Sequence, residues 1–178
     1  MRVIADLRHP AVPKSPQRVL NRRAARGIVL RDGRLLLLYT ERYNDFSLPG
    51  GGVDAHEELE TALARELEEE TGARNVRVLD AFGRVDELRP HWHPEYPFMA
   101  MKSFIYRCEI DAALGEARME SYERDAGMRV AWTGVEEAIA HNHAVMARGE
   151  ASMGLSIQRE TLVFERIRDE LFAGRQVA

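Results

Sequence analysis

The alternation of apolar and polar residues predicts a β-hairpin after an irregular first segment. Residues 1–20 contain three of the seven prolines and show no periodicity, so we expect an extended arm over the surface and a fold that begins after it. Residues 25–30 and 35–40 are apolar runs that flank the pair Asp32-Gly33. Because Asp-Gly between two such runs is typical of a tight two-residue turn, we predict strand, turn, strand.

Beyond this hairpin, the pattern predicts a sheet with helices around it. Residues 58–71 are helix formers and end at Gly72, a typical C-terminal cap. We predict strands over residues 76–85 and 99–110, a strand ending near Trp132, and a helix over residues 135–148. Ser156 can cap a last helix, in which core-type residues recur at three- and four-residue steps: Ile157, Thr161, Phe164, Ile167 and Leu171.

The composition fits one globular domain, which we place at residues 21–178. Of the 178 residues, 45% are hydrophobic and 30% are charged, a balance typical of a chain with a proper core. The longest apolar run is far shorter than the roughly 18 residues that a membrane helix needs, and the first residues lack the apolar centre of a signal peptide. We therefore expect a soluble, cytoplasmic protein with no membrane partner.

Net charge and cysteine content narrow the possible partners. The formal net charge of −4 disfavours a protein that binds duplex nucleic acid through its phosphates. A small phosphate ligand would have to be bound by metal ions or by local arginines. Cys108 is the single cysteine, so it forms no internal disulfide, and we interpret it as a packing residue in a strand.

The acidic run from Glu66 to Glu70 does not fit a solvated helix face. With Glu66 at zero and about 100° per residue, Glu69 falls at about −60° and Glu70 at about +40°. The apolar residues of the first turns share this arc: Leu59, Ala62 and Leu63. Carboxylates on such a stripe repel one another and need cations or protonation. Divalent ions bound by oxygen meet that need, and Mg²⁺ suits both carboxylates and substrate phosphates.

A glycine run lies immediately before this helix, at Gly50, Gly51 and Gly52. Glycine permits a positive φ and a close approach of the backbone to a ligand. A loop that leads into a helix can place backbone groups around a bound phosphate. We therefore count all three glycines among the candidate substrate-binding residues.

Together, the glycine loop and the acidic helix resemble the signature of the Nudix hydrolases. That signature reads Gly, five residues, Glu, seven residues, Arg-Glu, a bulky apolar residue, any residue, Glu-Glu, any residue, Gly and a second bulky apolar residue. The matching residues are Gly51, Glu57, Arg65-Glu66-Leu67, Glu69-Glu70, Gly72 and Ala73. Only Ala73 departs from the pattern, since it is smaller than the usual Ile, Leu or Val, and this concerns local packing rather than metal binding.

The resemblance implies the Nudix fold, an α/β/α sandwich with a central mixed β-sheet. It implies that Glu66, Glu69 and Glu70 bind Mg²⁺, with Mn²⁺ as a possible substitute, and that Gly51 lends a backbone carbonyl near the metal. Arg65 would orient a neighbouring carboxylate, whereas Glu57 would be mainly structural. The implied activity is hydrolysis of a phosphoanhydride bond, in which the metal neutralises phosphate oxygens and activates a water.

This signature does not identify the general base or the residues that recognise the substrate. Relatives differ in the base, so Glu66 and a glutamate elsewhere both stay open, and Glu120 and Glu123 are the candidates elsewhere. Arg26 and Arg42 flank the first hairpin and could bind phosphates bidentately. The aromatic loop of residues 89–97 suits a lid or a nucleobase-stacking surface, while its two histidines make no convincing zinc site.

These residues are compatible to different degrees with three functions of the Nudix fold. The leading one is a pyrophosphohydrolase whose substrate is a nucleoside diphosphate linked to another moiety, with nucleotide sugars, dinucleoside polyphosphates, ADP-ribose, oxidised nucleotides and RNA caps all open. The alternative is a non-catalytic Nudix-fold sensor, which the complete set of glutamates disfavours. Isopentenyl-diphosphate isomerase shares the fold but uses an active-site cysteine, and Cys108 lies outside the signature. By analogy with relatives, a homodimer is a possible assembly.

Overall fold

The computed structural model of the protein describes residues 1–149 and 153–173. The strands are β1 (Val3–Arg8), β2 (Val19–Arg31), β3 (Arg34–Thr40), β4 (Asp45–Ser47), β5 (Arg77–Pro90), β6 (Phe98–Glu109) and β7 (Met128–Thr133). The helices are α1 (Leu59–Thr71), α2 (Ser121–Asp125), α3 (Val135–Arg148) and α4 (Ile157–Ile167), and a π-helical turn over Arg168–Phe172 follows α4. None of these helices is long and apolar enough to cross a membrane in the described part of the chain.

The predicted hairpin is confirmed in β2 and β3. Leu30 pairs with Leu35 and Arg31 with Arg34 in an antiparallel ladder. Asp32 has φ 49° and Gly33 has φ 74°, the positive values that a type I′ turn requires at both central residues. The strand β2 begins at Val19, six residues before the predicted start, because it also pairs with β6 along that stretch.

A seven-stranded sheet forms the centre of the molecule, in the order β1-β5-β6-β2-β3-β4, with β7 paired to β3. The pairs β1/β5 and β2/β6 are parallel, whereas β2/β3, β3/β4, β3/β7 and β5/β6 are antiparallel. The predicted mixed sheet is therefore confirmed. The hairpin of β5 and β6 is longer than predicted, and β5 continues to Pro90.

Helices cover both faces of the sheet, which confirms the α/β/α sandwich. Alternate residues of β2 point to opposite faces, so Ile28 packs in one core and Val29 in the other. The first core holds the buried residues of α3 and α4, including Phe164, which is fully buried. The second core holds Leu63 and Leu67 of α1. Cys108 is buried in this second core, in agreement with its interpretation as a packing residue.

The first strand corrects the expectation that the fold begins after residue 20. β1 pairs in parallel with β5 from Val3 to Arg8 at the sheet edge, so this part of the predicted arm belongs to the sheet. Ile4 and Leu7 pack against the first core, and their apolar contacts fix the strand. The prolines that suggested an arm all follow this strand. The segment between β1 and β2 is anchored by Val12, whose side chain is buried.

The helices agree with their predicted bounds, with one difference at a cap. The residue preceding α4, Ser156, has helical φ and ψ of −79° and −19° and makes no side-chain capping hydrogen bond. Gly72 ends α1 in the left-handed conformation, with φ 70°, as its predicted cap role requires. The pattern misses β4 and α2, because runs of three and five residues are too short to show a periodicity.

Candidate functional site

One cleft gathers most of the residues that the sequence singles out. It encloses about 280 Å³ between the glycine loop of residues 50–52, the second half of α1, α2, β4 and the start of α4. It is lined by Arg26, Glu66, Glu69, Glu70, Glu120 and Glu123. Two of the candidate site residues, Arg42 and Arg65, do not line this cleft.

Close contacts explain why glycine occupies two positions of the loop. Gly50 has φ 126°, and a Cβ there would collide with the carbonyl oxygen of Ala25. A Cβ at Gly51 would collide with the carboxylate of Glu66. The loop backbone therefore lies directly against that carboxylate. The Gly51 carbonyl, a predicted metal ligand, accepts a hydrogen bond from the Ala25 N–H at 3.0 Å.

The three signature glutamates of α1, Glu66, Glu69 and Glu70, line the cleft and are buried to different extents. Glu70 is 4% exposed, and the exposed fractions of the Glu66 and Glu69 side chains are 15% and 38%. Glu68, on the opposite side of the helix, is exposed. The helical wheel explains the exposed end of this gradient, because Glu69 lies farthest from the centre of the apolar stripe.

Burial dominates the electrostatics of this end of the cleft. It raises the pKa of Glu70 to about 8, and the charges of Glu123 and Glu66 add to the rise, while Arg26 and the Gly50 N–H oppose it. The Gly50 N–H donates to Glu70 Oε2 at 2.5 Å. Burial also raises the pKa of Glu66, against the lowering effect of Arg65. A cation placed between these carboxylates would reverse both shifts.

Arg65 lies behind the carboxylates and fixes three of them. Its guanidinium forms two 3.1 Å hydrogen bonds to Glu57, one of 2.8 Å to Glu66 and one of 3.1 Å to Glu69. The hydrogen bonds to Arg65 hold the pKa of Glu57 below its usual value. Glu57 therefore positions Arg65 from outside the cleft. This contact is consistent with the mainly structural role that the resemblance implies for Glu57.

The two glutamates outside the signature also reach the cleft. Glu120 is exposed and precedes α2, whereas Glu123 is 5% exposed. Both oxygens of Glu123 accept hydrogen bonds, one from the Glu120 N–H at 2.7 Å and one from the Tyr122 hydroxyl at 3.1 Å. The short helix α2 therefore closes the acidic end of the cleft.

The residues of this end fit a hard divalent cation, although their oxygens are not gathered around one point. Within residues 1–149 and 153–173, no three His, Cys, Asp or Glu side chains are placed to hold a metal ion. Arg65 holds Glu66 and Glu69, while Glu70 turns to the Gly50 N–H. Carboxylates that line one cleft beside a glycine loop, one of them with a strongly raised pKa, nevertheless offer the oxygen ligands that Mg²⁺ and Mn²⁺ prefer.

Of the two candidate phosphate-binding arginines, the structure places one in the cleft. Arg26 donates to the carbonyl oxygens of Gly50 and Leu48, and its Nε is buried without a hydrogen-bond partner in the described chain. Arg42 is exposed and donates to the backbone oxygen of Asp125 at 3.3 Å. This position does not support its predicted contact with substrate, because its guanidinium binds the last residue of α2 and does not line the cleft.

The sequence predicts no site residue on the side of the cleft formed by β4 and α4. There Asp45, Arg159 and Glu160 line the cleft, each 5% exposed or less. Arg159 donates to Glu160 Oε1 at 3.1 and 2.7 Å and to Glu87 at 2.9 Å. The position of Glu160, three residues after Ile157, was a usable signal, because it places the carboxylate on the apolar stripe of α4.

The aromatic loop between β5 and β6 lies apart from this lining. Its rings contact one another, with centroids 5.4 Å apart for His91 and Trp92 and 5.9 Å for His93 and Tyr96. Trp92 is 83% exposed. None of the described loop residues 91–97 lines the cleft, and their stacking on a nucleobase stays a prediction.

Comparison with known proteins identifies the family. A family model described as the NUDIX domain matches residues 21–152. An RNA pyrophosphohydrolase of Rhodospirillum rubrum is 33% identical over 91 residues, 46% of this chain and 55% of that protein. A MutT-like protein of Streptomyces ambofaciens is 43% identical over 96 residues, 53% of this chain and 56% of that protein. The chain thus spans about half the length of these curated relatives.

Solved structures show the same fold. A MutT protein from Methanosarcina mazei Go1 is similar with a TM-score of 0.54 at 17% identity, covering 87% of this chain and 100% of that one. The E. coli ORF135 protein is similar with a TM-score of 0.53 at 18% identity, covering 90% and 96%. With the family model matching most of the chain and the acidic loop-helix in place, the protein belongs to the Nudix hydrolase family.

Proposed function

We propose that this protein hydrolyses a phosphoanhydride bond in a nucleoside diphosphate linked to another group, with Mg²⁺ held by Glu66, Glu69 and Glu70 and Mn²⁺ as a substitute. The observation that carries this proposal is Glu70. Its carboxyl is buried at the cleft with a pKa raised to about 8, and it accepts a hydrogen bond from the backbone N–H of Gly50. Such a group needs an external cation to be charged at neutral pH.

The metal, when bound, would neutralise the phosphate oxygens and lower the pKa of a water. The chain itself supplies the orientation. Arg65 fixes Glu66 and Glu69 through hydrogen bonds of 2.8 and 3.1 Å, so these carboxylates reach the cleft in set positions. Arg26, on β2 at the lip of the glycine loop, would bind a phosphate oxygen as a charged donor.

For the proton acceptor, we favour Glu120 among the three candidates. Glu66 is hydrogen-bonded to Arg65 and lies against the backbone of Gly51, and both oxygens of Glu123 already accept hydrogen bonds. Glu120 lines the cleft and is exposed, and its side chain pairs with the Glu123 backbone N–H in a capping box. A carboxylate held in this way at the solvent side of the cleft could accept a proton from the attacking water and release it to solvent.

The group attached to the diphosphate stays open in this proposal. The relative from Rhodospirillum rubrum is named an RNA pyrophosphohydrolase, and we include the 5′ end of RNA among the substrates to be tested. The cleft is mostly polar at both ends, which fits a nucleotide better than a lipid diphosphate.

A screen of nucleoside diphosphate derivatives and 5′-triphosphorylated RNA in ¹⁸O-labelled water would test the proposal, because the label reports which phosphorus is attacked. Turnover should require Mg²⁺ or Mn²⁺ and stop with a chelator. Glu69→Gln should lower kcat about 10²- to 10³-fold, whereas Glu68→Gln, exposed on the same helix, should stay within about twofold.

Undiminished turnover in Glu69→Gln would contradict the metal assignment. Binding of a nucleotide without any turnover, seen as a rise in Tm, would replace the enzyme with a nucleotide sensor. Glu120→Gln and Glu123→Gln separate the two outer candidates for the base, since only the base should flatten the acidic limb of the pH–kcat profile.

A further inference from the structure

The side of the cleft formed by β4 and α4 carries a buried carboxylate that the proposed chemistry does not use. Asp45 is 3% exposed and lines the same cleft as Glu70. Thr40, its partner in the ladder of β3 and β4, and Ser47 line the wall beside it. Hydrogen-bonding side chains therefore form this surface.

The short strand β4 is held so that Asp45 must face the cleft. Asn142 of α3, fully buried, accepts a hydrogen bond from the Phe46 N–H at 2.9 Å and donates to the Phe46 carbonyl oxygen at 3.0 Å. The Phe46 ring packs on the other side, 5.1 Å from the ring of His141. Since neighbouring strand residues point to opposite faces, Asp45 and Ser47 turn towards the cleft.

The cation nearest to Asp45 is already engaged by other carboxylates. Arg159 gives its hydrogen bonds to Glu160 and Glu87, and Glu160 also accepts the Leu48 N–H at 3.0 Å. Burial, followed by the charge of Glu160, raises the pKa of Asp45 to about 6. The charge of Arg159 and a hydrogen bond from the backbone N–H of Asp45 itself oppose this rise.

Such a wall selects ligands by what they can donate. Glu160 already accepts three hydrogen bonds, one from the Leu48 N–H and two from Arg159, so Asp45 is the less engaged acceptor of the two. Two carboxylates side by side repel a phosphate or a carboxylate group. A carboxylate accepts best from two adjacent donors, which it can bind with both oxygens.

We propose that Asp45 selects the nucleoside part of the substrate by accepting hydrogen bonds from a pair of adjacent donors. This inference rests on the proposed function. Two parts of a nucleoside present such a pair: the N1–H and N2–H of guanine, and the two hydroxyls of a ribose. Asp45 is thus a specificity-determining residue on the side of the cleft formed by β4 and α4.

Binding of nucleoside monophosphates, measured by calorimetry on the full-length protein, tests this without any turnover. The probes are GMP, IMP, which lacks the 2-amino group, and dGMP, which lacks the 2′-hydroxyl. If Asp45 binds guanine, IMP binds more weakly than GMP and dGMP binds equally. If Asp45 binds ribose, dGMP is the weaker ligand and IMP equals GMP.

In either case, Asp45→Asn should abolish the discrimination, which is expected to be roughly 5- to 150-fold in Kd for a bidentate pair. The ratio of two affinities within one variant does not depend on the fraction of protein that is folded. Asp32→Asn is the matched control, because Asp32 is exposed in the hairpin turn with φ 49°, which Asn tolerates.

The proposal is overturned if wild type binds all three probes equally or binds none, or if Asp45→Asn keeps the wild-type ratio. Hydrolysis of diphosphate compounds, followed on the same variants, separates this result from the proposed function. Turnover that persists while discrimination is absent refutes the role of Asp45 alone. Discrimination without turnover refutes the hydrolase and leaves the role of Asp45 supported.

Discussion

Two buried glutamates on two helices line the same cleft and differ in what neutralises them. Glu70 of α1 and Glu160 of α4 are 4% and 2% exposed, and each accepts one backbone hydrogen bond, from Gly50 and Leu48. Glu160 also accepts two hydrogen bonds from Arg159. Arg26 acts on Glu70 only through its charge.

This difference separates a carboxylate that is neutralised within the fold from one that we propose to bind a metal ion. An ion pair completed inside the protein needs nothing further, and its removal damages the structure. A buried carboxylate without a hydrogen-bonded cation is protonated or bound to a metal. Equal burial therefore does not mean equal function, and the position of the nearest guanidinium is the informative observation.

The largest effect is expected from breaking the completed pair. Arg159→Met would leave the carboxylates of Glu160 and Glu87 buried without this guanidinium, so the free energy of unfolding should fall by about 3–5 kcal/mol. Urea denaturation measures it. Arg166→Met, on the exposed side of α4, should change it by less than about 1 kcal/mol, and equal losses in both variants would contradict the comparison.

Removing the unpaired carboxylate should instead change how stability depends on pH. The pKa of Glu70 rises from 4.5 to about 8 on folding, so the native state keeps this proton at pH values where the unfolded state has lost it. The contribution of Glu70 to the free energy of unfolding is therefore present below pH 4.5 and is lost as the pH rises through 8. Metal-free Glu70→Gln should lose less stability than wild type over this window in thermal unfolding. Glu68→Gln should follow wild type, and a Glu70→Gln curve parallel to wild type would refute the raised pKa.

The close contact between the loop and α1 can be tested by adding one methyl group. Gly51→Ala would push a Cβ into the Glu66 carboxylate, and since that side chain is flexible, the cost should appear in activity rather than stability. We expect kcat to fall about tenfold or more at nearly constant Tm. Gly134→Ala, where the nearest atom is 4.0 Å away, is the control, and equal kcat values in the two variants would argue against a role for Glu66 in the reaction.

The smallest effect is expected at the arginine that lies outside the cleft. Arg42→Ala removes an exposed hydrogen bond to the Asp125 backbone, so kcat/KM should change by less than about twofold. Arg26→Ala is the informative partner, because Arg26 lines the cleft and should lower kcat/KM clearly. If Arg42→Ala were the more damaging change, phosphate would be bound outside the described cleft.

The acidic end of the cleft was predictable from the sequence because one helix carries it. A fixed rotation per residue places Glu66, Glu69 and Glu70 on one arc, and the hairpin turn at Asp32-Gly33 follows from local backbone preferences. These relations span a few residues and need no knowledge of the tertiary structure.

Apart from Glu160 on the apolar stripe of α4, the side of the cleft formed by β4 and α4 was not predictable, because its residues meet only after the chain has folded. Asp45 lies in a strand of three residues that is positioned by Asn142, almost a hundred residues away in the chain. The parallel pairing of β1 with β5 is also a long-range contact, and the prolines after β1 gave a misleading local signal. Long-range pairing is the information that a periodicity does not contain.

The parallel pairing of β2 with β6 also sets when the site comes into existence during synthesis. Val19 pairs with Phe98 and Val29 with Cys108, so these strands are separated by about 80 positions. At roughly 5–20 residues per second, β2 leaves the ribosome roughly 4 to 16 seconds before its central neighbour. Arg159 of α4 follows about 50 residues after β6. A nascent chain therefore has its acidic helix long before it has a cleft, and it gains both sides of the cleft only after α4 has been synthesised.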